Sequence, residues 1–272
     1  MWIGSPLRGA FRLASFLLLT LLLLPIHTLA RALGLRFVVN HLPVFYHRIF
    51  CVILGIRVRV HGKRSEVTPT LFVCNHVSYL DIVVLGSQVP GSFVAKAEVA
   101  TWPFVKTLAK AQRTIFIERT SAKTSASRDE MMKRLNTGDN LMLFPEGTSS
   151  DGTRVLPFRT ALFGVAQLRR DGKPIVVQPV AISYTRLDGI PLGRYWRPLF
   201  AWFGDLDLVP HLWQMICLGE TEAVVTFFPP VDIDQLGDRK KLAEFCFRQV
   251  SLGVQAANTG RLELLPPPAE AA

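Results

Sequence analysis

The chain has 272 residues, 49% of them hydrophobic, and a formal charge of +10, with a mean hydropathy of +0.28. Those values are high for a freely soluble protein, and the length allows one large domain with a short appendage. Residues 1–70 carry nine Lys and Arg against the single acid Glu66. These basic residues flank Leu-rich runs and do not interleave with aromatics, which fits an anionic bilayer surface and argues against nucleic acid.

Leu13 to Ala30 is an apolar run bounded by Arg12 and Arg31, just long enough to span a bilayer. Pro25 and His27 weaken its last third. A cleaved secretory signal is the rival reading, but the apolar core is long, the sequence after it is basic, and a second apolar stretch follows at Leu42 to Ile56. That stretch is short for a span and fits an interfacial or re-entrant helix. Residues 1–56 therefore read as a membrane anchor of one or two apolar helices.

From residue 56 the pattern changes. Ile56, Val58 and Val60 alternate with Arg57 and Arg59, as in a half-buried strand. Leu71 to Cys74 predicts a strand, Ser78 to Gln88 a helix capped by Ser78, and Phe93 to Ala95 a strand. Glu98 to Lys110 predicts a helix broken at Trp102-Pro103. Thr114 to Ile117 predicts a strand and Ser125 to Leu135 a polar helix. A turn at Thr137–Asn140 leads into a strand at Leu141 to Phe144. Thr160 to Arg170 predicts a helix ending at Gly172, Ile175 to Ile182 and Ala223 to Phe228 strands, and Arg239 to Val254 a terminal helix. Strands alternating with helices predict an α/β sheet with helices on its faces. The domain runs over 57–262, and residues 263–272 form a Pro-rich tail expected to be disordered.

Three polar clusters stand at predicted strand ends, where open α/β sheets place their active sites. The first is Asn75-His76 with Asp81. An Asp one turn into a helix can hold one ring nitrogen of the His and leave the other as a base. Taken alone, H-x-x-x-x-D arises often by chance, and a helix-capping His near a surface Asp is the favoured reading. The second is Phe144 to Gly152, where backbone N–H groups around Gly147 can cradle an anion or a developing oxyanion and Glu146 can hold an acceptor hydroxyl or a backbone group; a plain polar turn is the alternative. The third is Glu118-Arg119-Thr120, where Arg119 is placed to grip a phosphate or carboxylate, or is a solvated surface residue. Cys51, Cys74, Cys217 and Cys246 are too scattered for a zinc site or a disulfide scaffold and read as reduced, buried cysteines of a cytosol-facing domain. Cys74, two residues before His76, can be read as a nucleophile paired with it or as a core cysteine in an apolar strand.

Asn75-His76 with Asp81, then IFIER at 115–119, FPEGT at 144–148 and Val177-Gln178-Pro179-Val180 occur in the order and approximate spacing of the 1-acylglycerol-3-phosphate acyltransferase (PlsC-like) family, which the chain resembles over residues 55–185. The resemblance implies a mixed central sheet flanked by helices, a thioester donor (acyl-CoA or acyl carrier protein) and a lysolipid acceptor. It implies His76 as catalytic base with Asp81 as partner, and Arg119, Glu146, Gly147, Thr148 and Lys96 as substrate-binding positions. Pro179 matches the last block, with a structural or acyl-chain role. No metal and no cofactor beyond the acyl donor is expected. The partners are the lysolipid, the donor and membrane lipids, and the expected place is the cell inner membrane with the catalytic domain facing the cytoplasm. The first acceptor is 1-acyl-sn-glycerol-3-phosphate, giving phosphatidic acid. One departure bears on it: members using that acceptor read FPEGTRS, whereas here Ser149 stands in the arginine's place, with Arg154 and Arg159 as possible replacements. The FPEGTSSDG loop resembles the branch that acylates lyso-ornithine lipid, which is the alternative acceptor. A thioester or lipid hydrolase is the rival enzyme class, although G-x-S-x-G is absent, and a binding protein that has lost its chemistry is the rival outside enzymes.

Overall fold

Ser5 and Pro6 start the first helix. Ser5 Oγ accepts the Arg8 N–H, and Pro6 occupies a position where no N–H is needed. Helix α1 then runs over Pro6–Ala32, about 40 Å at 1.5 Å per residue, and continues through Pro25. Helix α2, Arg36–Leu54, begins earlier than its apolar run and ends on Gly55 in the left-handed conformation. The two form an antiparallel hairpin: Thr20 Oγ1 meets Tyr46 Oη at 2.9 Å, and the Phe16 and Phe50 rings stack at 4.6 Å. Both helices are long and apolar enough to cross a membrane by length and composition, and only 17% and 22% of their apolar windows are buried. Leu7, Phe11, Leu18, Leu21, Phe37 and Val52 are among the side chains left exposed.

In this computed structural model, residues 3–96, 103–117 and 121–265 are described. After the hairpin come β1 (Ile56–Gly62), β2 (Thr70–Cys74), α3 (Leu80–Gly86), β3 (Ser92–Lys96), α4 (Pro103–Ala111), β4 (Ile115–Ile117), α5 (Ser121–Asn136) and β5 (Leu141–Leu143). Then follow a 3-10 stretch (Thr160–Gln167), β6 (Arg169–Arg170), β7 (Lys173–Pro174), β8 (Val176–Leu187), β9 (Ile190–Pro191), α6 (Leu208–Cys217), β10 (Thr221–Phe227), α7 (Ile233–Leu236) and α8 (Arg239–Thr259). The main sheet has the order β1-β10-β8-β2-β5-β3-β4, with β9 beside β8. Pairing is parallel except at β10–β8 and β8–β9, so the sheet is mixed and the α/β class expected from the sequence holds.

Strand β2 is buried along its whole length and feeds both faces. Phe72 and Cys74 join a core with α2, α3 and α6, while Leu71 and Val73 join one with α5 and α8. Each fully buried large side chain contributes roughly 1.5–3 kcal/mol. Asn75 closes the end of β2: its amide donates to Ile182 O at 2.9 Å and accepts from Ile182 N at 2.8 Å. Gln178 is consumed in the same way, by Ser65 N, Lys63 O and Phe228 O, and Pro179 pairs with Val73 in the sheet.

Two local expectations fail. The segment at 160–170 is not an α-helix. Phe163, Gly164, Val165 and Ala166 are buried consecutively, a pattern no single helical face produces. Asp171 and Gly172, both with positive φ, turn a short β6–β7 hairpin, so Gly172 is a turn residue and not a helix stop. Ser78 is not the N-cap of α3, which begins after Tyr79 without a side-chain cap. The predicted residues 98–102 and the tail from 266 lie outside the described residues.

Arg12, counted among the basic flank, is buried. Its guanidinium donates to Ile216 O, Leu218 O and Gly219 O at 2.7–3.4 Å, satisfying carbonyls at the end of α6 that the helix leaves unpaired. A Cβ on Gly55 would strike that guanidinium at 2.2 Å. One arginine therefore ties α1, the end of α2 and α6 together.

Candidate active site

Strands β2 and β5 are parallel neighbours in register at Val73 and Leu143. Their C-terminal ends therefore deliver His76 and Glu146 side by side. His76 Nδ1 lies 2.8 Å from Asp81 Oδ2. The same carboxylate oxygen accepts the backbone N–H groups of Val77 at 2.6 Å and Ser78 at 2.9 Å. Its other oxygen accepts the Tyr184 hydroxyl at 2.9 Å. Asp81 is fully buried, and these donors offset the cost of burying an ionised carboxylate. A carboxylate accepts only, so the Nδ1 proton points to Asp81 and Nε2 carries the lone pair. The imidazole stacks on Phe144, with ring centroids 4.4 Å apart. It is the partly exposed member of the pair, with 22% of its side chain accessible.

Glu146 does not face outward as an acceptor-binding group would. Its Oε1 accepts His76 N at 2.8 Å and its Oε2 accepts Leu156 N at 2.9 Å. It is buried, and burial pushes its carboxyl up to about 8, against the opposing pull of those two hydrogen bonds. Ser150 completes the clamp, donating from N at 2.8 Å and from Oγ at 3.2 Å to His76 O. The polar loop thus holds the backbone at His76 from both sides.

Gly147 has φ +67°, and a Cβ there would lie 2.8 Å from Arg159 Nε. The left-handed conformation favours glycine there. Thr148 and Ser149 follow it, and neither has an intramolecular hydrogen bond among the described residues. Gly147, Thr148, Ser149 and His76 are the polar-loop and histidine part of the lining of a cavity of about 340 Å³. From there its apolar walls run past Phe93 and Phe144 to Leu13 and Phe16 of α1, Phe50 of α2 and Leu212 of α6. The anchor hairpin therefore forms part of the wall.

The structure brings His76, Asp81, Glu146, Gly147 and Thr148 together. Arg119 lies outside the described residues, as does the side chain of Lys96 at the end of β3. Cys74 is fully buried in the apolar core, and burial pushes its thiol well up, which fits the core reading and not a nucleophile. Sequence reasoning missed Tyr184, Phe144 as a stacking partner, Ser150 and the cavity wall from α1 and α6. A hydroxyl pointing from β8 to a carboxylate 103 residues earlier leaves no local signal. No group of three or more His, Cys, Asp or Glu able to hold a metal occurs among the described residues.

The family model described as Acyltransferase matches residues 57–183. The chain is 46% identical over 226 residues to the lyso-ornithine lipid O-acyltransferase of Brucella abortus (strain 2308), covering 82% of this chain and 85% of that one. It is 41% identical over 253 residues to the lyso-ornithine lipid O-acyltransferase of Rhizobium meliloti (strain 1021), covering 92% and 85%. Its fold is similar to that of the 1-acyl-sn-glycerophosphate acyltransferase PlsC from Thermotoga maritima, with a TM-score of 0.57 and 21% identity over 90% of this chain and 96% of that one.

Proposed function

This chain belongs to the PlsC-like acyltransferase family, and on that premise we propose that it transfers a fatty acyl group from a thioester to the free hydroxyl of lyso-ornithine lipid. Acyl transfer onto lysolipids follows from the family; the acceptor, the donor and the residue roles are our reading. Lysophosphatidate, placed first on the sequence, becomes the second reading. Ser149 stands where a phosphate-gripping arginine would, and the relatives matched at 46% and 41% identity carry the aminolipid in their names. The observation that carries the chemistry is a His–Asp pair whose imidazole lines an apolar cavity.

The donor's acyl chain occupies the cavity, and its thioester carbonyl lies beside His76. His76 Nε2 takes the proton of the acceptor hydroxyl as the oxygen attacks that carbonyl. Asp81 stabilises the imidazolium and holds the ring's orientation. The unpartnered backbone N–H groups of Thr148 and Ser149 support the tetrahedral oxyanion. Collapse breaks the carbon–sulfur bond, and the proton on His76 passes to the departing thiolate. Acyl-CoA or acyl carrier protein serves as donor, and no other cofactor takes part. Residues 1–56 anchor the protein to the inner membrane, and residues 57–262 carry the chemistry on the cytoplasmic side.

The test is an assay of the purified full chain with labelled acyl-CoA and acyl carrier protein, offering lyso-ornithine lipid and lysophosphatidate in parallel. We expect transfer to the aminolipid. Transfer to lysophosphatidate alone would restore the second reading, and release of free fatty acid with neither acceptor would move the protein to the hydrolases.

A further inference from the structure

Among the described residues, Arg159 is a cation beside the acceptor loop whose side chain has no partner in the fold. Its backbone is fixed, with N donating to Pro145 O at 2.9 Å. That bond holds its side chain across Gly147, where Nε and Cζ lie 2.8 and 2.9 Å from the position of a glycine Cβ. Gly147 lines the cavity, while Arg159 is exposed and is not part of the lining. The guanidinium therefore lies over Gly147, the residue that precedes Thr148 and Ser149 in the acceptor loop. Among the described residues no carboxylate pairs with it.

Other arginines of the fold differ. Arg12 is spent on helix carbonyls, Arg197 donates to Asn258 O, and Arg169 is paired with Asp234. Desolvation by a bound lipid would leave an unpaired guanidinium there costly unless the lipid brings an anion to it. The planar fork matches a carboxylate or a phosphate oxygen pair.

We infer that Arg159, with the Thr148 hydroxyl, forms the subsite that reads the anionic group of the acceptor's head group, the carboxylate in lyso-ornithine lipid, and so sets acceptor specificity. This rests on the acyl-transfer reading above and adds the residue that selects the substrate. Arg159 touches the head group and takes no part in the proton transfer, so it governs acceptor KM and leaves kcat alone.

The experiment uses the full chain in detergent with the donor that supports turnover. The acceptors are lyso-ornithine lipid, its carboxyl methyl ester and lysophosphatidate, and the proteins are wild type, Arg159→Gln, Arg159→Lys and Arg154→Gln. Wild type should favour the free acid over the ester. Arg159→Gln should raise the acceptor KM for the acid about tenfold, as expected for one lost charge-assisted hydrogen-bond pair. It should leave the ester, kcat and donor KM unchanged. Arg159→Lys should recover part of the loss, and Arg154→Gln, an exposed cation nearby, should behave as wild type. An unchanged KM for the acid in Arg159→Gln, or an equal rise for acid and ester, would overturn the inference. A rise for lysophosphatidate alone would overturn it as well, since the carboxylate would then not be what Arg159 reads. Wild-type protein that acylates none of the three would overturn the acyl-transfer reading itself and the subsite with it, a result separable from an active enzyme indifferent to Arg159.

Discussion

The two ends of the FPEGT loop are built differently. At its start, around His76, Asp81 and Glu146, each carboxylate oxygen has a partner: Asp81 takes three N–H donors and the Tyr184 hydroxyl, and Glu146 takes two backbone amides. Beyond it, Thr148, Ser149 and the side chain of Arg159 have no hydrogen-bond partner among the described residues. A base must be held in one orientation to act, whereas a surface that receives a substrate must keep its donors free. On the function proposed above, the contrast is the one expected between groups that drive the reaction and groups that choose what reacts.

Breaking the first region at its centre should have the largest effect. His76→Ala is expected to lower kcat by about 10²–10⁴-fold, the usual range for a general base, with acceptor KM nearly unchanged in steady-state kinetics. A loss in KM alone would move His76 from the reaction to binding.

Glu146→Gln comes next. Gln offers one oxygen where Glu offers two, so either His76 N or Leu156 N loses its acceptor, at a cost of about 1–3 kcal/mol. We expect lower stability at neutral pH by up to that amount and a kcat loss of about tenfold through displacement of His76. The native carboxyl keeps its proton up to about pH 8, whereas in the unfolded chain it loses it near 4.5. Across that window the native state binds more protons, so the Glu146 contribution to stability falls as pH rises from about 5 to 8. Thermal melts over that range should show the decline in wild type and a flatter profile in the Gln variant.

Tyr184→Phe removes one hydrogen bond to Asp81 and leaves the ring in place, stacked on Phe200. A hydrogen bond to a charged group contributes about 1.5–3 kcal/mol. The expected result is a melting temperature a few degrees lower and a kcat several-fold lower, with a shifted acid limb in the pH profile. An unshifted profile would make the tyrosine a packing residue only.

The smallest effect belongs to Cys74→Ala. The thiol is a fully buried small apolar group, so turnover should persist with a stability loss of about 1 kcal/mol or less. Lost turnover in a folded variant would make it a nucleophile after all.

Much of this was legible locally. The spacing of His76 and Asp81 places both on one turn, the apolar runs give the two helices of the hairpin, and alternation at 56–60 and the short apolar runs give β1, β2 and β5. Each of these rests on neighbours a few residues apart, where periodicity and turn chemistry act. The same local rules misread 160–170, because that segment is shaped by what packs on it and not by its own repeat. Helix α6 carries no such signal as a cavity wall.

The sequence by itself determined the class of the sheet, the apolar hairpin and the identity of the His–Asp pair. Only the tertiary structure decided that Glu146 clamps the backbone at His76, that Tyr184 supports Asp81, that Arg12 caps α6 and that the Arg159 side chain lies over Gly147 without a partner among the described residues. The reason is separation along the chain. The His76–Glu146 bond joins residues 70 apart, and the Arg12–Leu218 bond residues 206 apart. Partners at such distances meet only once parallel strands and packed helices have fixed which ends lie side by side.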